Sequence, residues 1–308
     1  MILNILIRIA RFLINRILQF FNLVLVFRIG NAIGDQVCLT SIVRYMHIHD
    51  SRKILIVTNF PEIFINNIRI NKVIKVNQKY SVLVNKILRN LSGSAIKSFL
   101  FDNGSSRLSD YMRGNKNSLH LSKLNSMHFL DIDKNIDLSN EFFFSERELS
   151  EFQKKFSVIK NFSIISPVSK SSYTVNKQWD FSHFQEVVNL KKDILWVQTG
   201  LSDDRLLSGV IDLRGKTSIR ELIYIVSKAN FILSTEGVLN HIASAFDTTS
   251  YVIISGFSDK SIAAYHNTHF FESKFDCPDS PCWRLNDCLF PNRPCINQIK
   301  PKDIVTQI

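Results

Sequence analysis

Glycine is scarce in this chain, ten in 308 residues against a usual share of about 7%, so the position of each one carries information. Cysteine is missing between Cys38 and Cys277, and the remaining four crowd into the last thirty-two residues. No uncharged apolar run of spanning length opens the chain, and no small-residue cleavage site follows its apolar start, which argues against both a transmembrane helix and a signal peptide there. What is present in quantity is apolar residue, 45% of the whole. That is enough to bury a real core, and at roughly 100 to 200 residues per domain the chain should hold two domains.

Thirty-eight Lys and Arg against 27 Asp and Glu give a formal charge of +11. Such a balance favours anionic partners: nucleotides, phosphorylated sugars, acidic lipid surfaces or nucleic acid. Nucleic acid is the weakest of these. The basic residues read as spread along the chain, and no aromatic and basic recognition helix accompanies the cysteines.

The chain is organised around the stretch from Leu23 to Met46. An apolar run, 23–27, enters a loop with Gly30 and Gly34, after which Val37, Ile42, Val43 and Met46 recur at roughly helical spacing. This predicts a buried strand, a tight turn and a helix with Asp35 in its first turn. The spacing Gly-Asn-Ala-Ile-Gly-Asp is neither a P-loop nor the dinucleotide fingerprint Gly-x-Gly-x-x-Gly. A carboxylate at that point either caps the helix or faces whatever binds at the end of the sheet.

Ahead of it, Asn4, Arg8, Arg11, Asn15, Gln19 and Asn22 form one polar stripe along an otherwise apolar helix. Three arginines make a span costly, at roughly 2.5 to 3.5 kcal/mol each near the bilayer centre, whereas an interfacial helix lets them meet anionic headgroups. The expectation is attachment to an anionic membrane surface; packing on the protein itself or on a partner subunit is the alternative.

Short β-rich runs at 23–27, 54–57, 73–76 and 98–101, separated by helix-sized segments, predict one βαβ sheet. The polar stretch 104–140 reads as loops able to receive a substrate. Ser145-x-x-Glu148 opens a helix leading out of this domain, and a second set of strands follows at 162–166, 194–198, 231–234 and 251–255. Its helices are predicted from the capping boxes Ser182-x-x-Gln185 and Ser218-x-x-Glu221. Gly200, Gly237 and Gly256 lie just past three of the strands, where ligands of open parallel sheets bind.

Five pieces in order then point to a family: Gly30 to Thr40; Ser171 to Trp179; Gly200-Leu201-Ser202-Asp203; Asp212 to Ser218; and Thr235 to Ala245, followed by Tyr251 to Phe257. Together they resemble glycosyltransferase family 9, the heptosyltransferases, over roughly 23–305. The resemblance implies an α/β GT-B fold, two Rossmann-like domains facing across a cleft, here preceded by the amphipathic helix. The implied division is 1–22, the interfacial helix; 23–156, the acceptor domain; 157–276, the nucleotide-sugar domain; and 277–308, a Cys-rich tail. It implies inverting, metal-independent transfer from an ADP-heptose-like donor to a glycan or glycolipid acceptor such as lipopolysaccharide. The expected place is the cytoplasmic face of the inner membrane. A degenerate sugar-nucleotide-binding member and a protein-modifying heptosyltransferase are the alternatives.

Carried over to this chain, Asp35 matches the family's catalytic base and Lys177 the lysine that meets the donor's diphosphate. Gly237 and His241 belong to the helix-start motif beneath the donor, with Ser172, Gly200 and Thr217 as further donor-site candidates. The motif departs from the usual Asp-Ser/Thr-Gly-x-x-His: here Glu236 stands next to the glycine and three residues precede His241. Glu236 is therefore a candidate for a ribose or sugar hydroxyl.

Cys277, Cys282, Cys288 and Cys295 are separated by 4, 5 and 6 residues. Four thiolates satisfy tetrahedral zinc or a single iron; free thiols and two disulfides are the other solutions. The tail resembles the C-terminal cysteine cluster of the autotransporter heptosyltransferases, which implies a structural metal and no metal in the transfer itself.

Overall fold

The computed structural model describes residues 2–100, 112, 119–132, 136–168, 173–285 and 287–308. The chain divides into two compact units, Met1–Gly104 with Leu121–Ser145, and Ser105–His120 with Glu146–Ile308.

In the first unit, helix α1 (Ile2–Phe20) precedes β1 (Leu23–Arg28), α2 (Ile33–His49), β2 (Lys53–Thr58), β3 (Ile70–Lys75), α3 (Ser81–Leu91), β4 (Ile96–Ser98) and α4 (Leu121–Ser126). The four strands are parallel in the order β3-β2-β1-β4. Helices on both faces of a parallel sheet explain the unbroken apolar run at β1, where Val24, Val26 and Phe27 are fully buried. The fourth strand starts two residues earlier than its apolar run suggests, because only Ile96–Ser98 reaches the β1 ladder. Part of the polar 104–140 stretch falls outside the described residues. What is described there includes α4, buried through hydroxyls rather than looped out: Ser122 Oγ lies 3.2 Å from Ser41 Oγ and donates to Cys38 O at 3.3 Å.

Helix α1 is packed on this unit. Asn15, in the middle of the expected polar stripe, is buried and makes the joint. Its Nδ2 donates to Arg11 O at 2.8 Å and Leu91 O at 2.9 Å, while its Oδ1 accepts from the backbone of Ala95 at 2.7 Å and Ile96 at 3.2 Å. Ile14 and Leu18 join the core of Phe27, Ile29 and Ile96 beside Val84 and Leu88 of α3. The inward face is thus mixed, and much of the apolar surface of α1 points out.

The second unit runs α5 (Glu146–Lys155), β5 (Phe162–Ser166), α6 (Phe181–Leu190), β6 (Leu195–Gln198), β7 (Ile211–Asp212), α7 (Ile219–Lys228), β8 (Phe231–Thr235), α8 (Val238–Ala243), β9 (Thr249–Ile253), β10 (Thr268–Phe271), α9 (Pro294–Asn297) and α10 (Pro301–Val305). Six parallel strands take the order β10-β9-β8-β5-β6-β7. The Ser218/Glu221 capping box forms at α7 as expected. At α6 the cap is instead Asp180, which accepts from Ser182 N at 2.8 Å, and Gln185 turns to Ser208. The Cys-rich tail is part of this unit: Ile296, Ile299 and Ile304 enter the core around Trp179 and Phe184. Trp179 is a packing residue, its Nε1 donating to Ile299 O at 3.0 Å. No described helix is long and apolar enough to cross a membrane.

Candidate active site

In a parallel sheet every strand delivers its following loop to the same edge, and where the strand order reverses two neighbouring loops diverge and leave a crevice. In the first sheet that reversal lies between β1 and β4; in the second it lies between β5 and β8. Asp35 follows β1. Lys177 follows β5, and Glu236 follows β8. The sequence candidates therefore sit at the switch points of both sheets.

Asp35 lies in the first turn of α2 without capping it; no side chain caps that helix. Its carboxylate Oδ2 instead accepts from Arg28 Nη2, the last residue of β1. Arg28 is buried, and its Nη1 donates to Ile29 O at 2.8 Å. The backbone around the pair is held as well. Gln36 Nε2 donates to Arg28 O at 2.8 Å, Thr58 Oγ1 donates to Gln36 Oε1 at 2.7 Å, and Gly30 N donates to Asn59 Oδ1 at 2.7 Å. Gly30 adopts φ +134°, a conformation that favours glycine, and a Cβ there would stand 3.2 Å from Arg28 Nη1. The arrangement fixes one carboxylate oxygen of Asp35 on the guanidinium.

Arg28 went unnoticed in the sequence. Its signal is a lone charge that closes an apolar strand, two residues before a glycine and seven before the aspartate.

Lys177 and Glu236 form an ion pair with both side chains largely buried. The ammonium also lies 5.0 Å from the Phe257 ring centroid and 5.7 Å from that of Tyr173. Two aromatic faces and one carboxylate hold the ammonium in a site of low polarity. Gly237 is extended, and a Cβ there would meet only Thr235 O, at 3.7 Å, so the space above it is open.

His241, in α8, is buried with Nδ1 2.8 Å from the Tyr265 hydroxyl. Gly200 has a backbone role: its φ is +152°, and a Cβ would lie 2.4 Å from Asp204 Oδ2, the acceptor of Leu201 N. Thr217 is half-buried just before the α7 cap. Ser172 lies outside the described residues.

All four tail cysteines line one small cavity of about 20 Å³, together with Asn176, Gly256 and Phe257. They are free thiols. Burial pushes the thiols of Cys282 and Cys295 up, and neighbouring cysteines add to the shift in both. Among the described residues no three His, Cys, Asp or Glu side chains are placed to hold a metal ion as they stand.

The cavity wall is joined to the lysine loop. Asn176 Nδ2 donates to Arg284 O at 2.7 Å and Asp287 O at 2.8 Å, and Arg293 Nη1 donates to Val175 O and, at 3.3 Å, to Gln178 O. Trp283 N donates to Phe257 O at 2.9 Å. The tail thus brackets Lys177 through both Asn176 and Phe257.

The profile of glycosyltransferase family 9 (heptosyltransferase) matches residues 116–269, half of the chain. Among solved structures, the Escherichia coli ADP-heptose lipopolysaccharide heptosyltransferase II is similar at 13% identity and TM-score 0.60, over 92% of this chain and 96% of that one. TibC from enterotoxigenic E. coli, an iron-containing dodecameric glycosyltransferase, is similar at 12% identity and TM-score 0.62, over 92% and 74%. A family 9 glycosyltransferase from Veillonella parvula gives 13% and 0.61, over 80% and 84%. No curated protein matches the chain by sequence. At these identities the structural likeness shows the fold, which is the two-domain GT-B fold expected from the sequence.

Proposed function

The chain belongs to glycosyltransferase family 9, the heptosyltransferase family, and on that premise we propose that it moves a sugar, heptose first, from an ADP-sugar to a hydroxyl of a cell-surface glycan or glycolipid such as lipopolysaccharide. The observation that carries the donor side is Lys177, a largely buried cation beside the Tyr173 and Phe257 rings and paired with Glu236, at the switch point of the second sheet. In this reading the acceptor oxygen attacks the anomeric carbon, Asp35 takes its proton, and the bond from that carbon to the diphosphate oxygen breaks with inversion. The negative charge left on the nucleoside diphosphate is met by Lys177, without a metal ion in the reaction. Glu236 holds the ammonium before the donor arrives and then turns to a donor hydroxyl. Gly237 leaves room for the donor, while His241 and Thr217 complete its surroundings.

Calorimetry with ADP, ADP-heptose and the UDP, GDP and dTDP hexoses tests this. One ADP-sugar should bind at micromolar affinity. Lys177→Ala should weaken it by at least about tenfold, or 1.4 kcal/mol. Asp35→Ala should abolish transfer and leave donor affinity within about twofold, less than 0.5 kcal/mol. Absence of binding by every nucleotide tested would overturn the reading.

The cysteine cavity fits a structural metal by its donor set, four thiols among its lining. Cys277, Cys282, Cys288 and Cys295 would hold iron or zinc there, and the iron in the similar TibC supports that assignment. The metal's contribution when bound is a cross-link of the tail. Elemental analysis should find about one metal per chain in the native protein and none in a Cys282→Ser, Cys295→Ser variant.

A further inference from the structure

Helix α1 is bolted to its unit by Asn15, yet it leaves Ile9, Phe12, Leu13, Ile17 and Phe20 each at least half exposed. α3 lies against α1. It adds Val82, at 84% exposure, with Leu83 and Ile87. So many large apolar side chains exposed on two neighbouring helices mark an interaction face.

Its charge selects the occupant. Arg8, Arg11 and Arg16 line one open pocket on α1 beside Phe12 and Gln19. Residues 1–34 and 63–101, which include α1, β3, α3 and β4, carry eleven Lys and Arg and no Asp or Glu. The whole chain has a formal charge of +11, so everything outside these two segments is balanced. Of these eleven basic residues, Arg8, Arg11 and Arg16 lie on α1 and Lys86 and Arg89 on α3, and neither helix carries an acidic residue. A second copy bringing the same two helices would meet five like charges and no opposite one. A bilayer with anionic headgroups offers both the apolar layer and the counter-charge.

We propose that α1 and α3 together form a rigid docking face for an anionic lipid surface, with the side chains of Phe12, Ile17 and Val82 seated among the acyl chains and the three arginines at the headgroups. This goes beyond the transfer reaction and stands without it. A preformed helix fixed by Asn15 differs from a tail that folds on contact: it holds the whole first unit at one orientation to the bilayer.

Vesicle flotation of the full chain, with no nucleotide present, tests this. The protein should float with phosphatidylcholine vesicles containing about 30% phosphatidylglycerol and stay behind with phosphatidylcholine alone. At about fivefold per arginine, the triple variant R8Q/R11Q/R16Q should lose roughly 100-fold in partition. F12S/I17S should also lose binding, and since both residues are exposed its circular dichroism and melting temperature should match the parent. Equal binding to both vesicle types, or unchanged binding by either variant, overturns the proposal. So does a multimer in light scattering that falls to one chain in F12S/I17S while neither vesicle is bound, which would assign the face to a second copy. Because donor binding is measured separately, failure here leaves the transferase reading intact.

Discussion

Arg28 holds Asp35 by one carboxylate oxygen while its own backbone carbonyl is held by Gln36, so the strand end, the guanidinium and the carboxylate move as one piece. Loss of such positioning costs rate more than affinity, since a misplacement of about 1 Å can lower turnover by ~10²-fold. Arg28→Ala should therefore lower kcat by about that factor with the KM for donor nearly unchanged. Arg28→Lys should recover part of the loss, and added guanidinium should recover part of it in Arg28→Ala. A merely structural role would show no such rescue. Asp35 and Lys177 could be picked out as candidates because each stands in a short motif. Phe257 could not, since it follows a different strand from Lys177 and only the sheet order brings the two together. Arg28 and Tyr173 are near their partners in sequence, but no motif singles them out.

Elements with an apolar run or a cap were visible in advance: β1, β2, β5, β8 and the α7 box all stand close to where their residues put them. Two edge strands were not. β7 has two residues and β10 has four with a histidine among them, too short for periodicity to register. The loop after β7 shows what replaces apolar burial there. Asp212 accepts from Arg214 Nε at 2.8 Å and from Lys216 Nζ at 3.1 Å, and the Arg214 bond, aided by that to Lys216, holds its carboxyl well below the usual carboxylate range. A lowered folded-state value contributes stability that is present above the unfolded value, near 3.9, and is lost as pH falls toward the folded one. The parent should thus melt higher than Asp212→Asn by a constant margin from about pH 5 to 8, and the gap should close progressively below about pH 4. A margin unchanged down to about pH 2 would show that the Arg214 pair contributes nothing.

Across the molecule, the spacing of apolar runs foretold two α/β sheets, but it could not foretell how charge is shared between them, because that depends on which segments fold together. The first unit holds sixteen basic and eight acidic residues, the second twenty-two and nineteen. Long-range attraction therefore belongs mainly to the first unit, where it is exposed and open to screening by salt. Lys177, by contrast, is largely buried beside Phe257 and Glu236, and an ion pair formed there is screened much less. The two binding events should respond differently to one variable. Raising KCl from about 0.1 M to about 0.5 M shortens the screening length from about 10 Å to roughly 4 Å. Partition onto anionic vesicles should then fall by more than about tenfold, while the Kd for ADP by calorimetry should rise by less than about threefold. Parallel losses would mean that the nucleotide is drawn by the general field of the protein rather than by the buried lysine, and would move the donor site away from the β5 and β8 switch point.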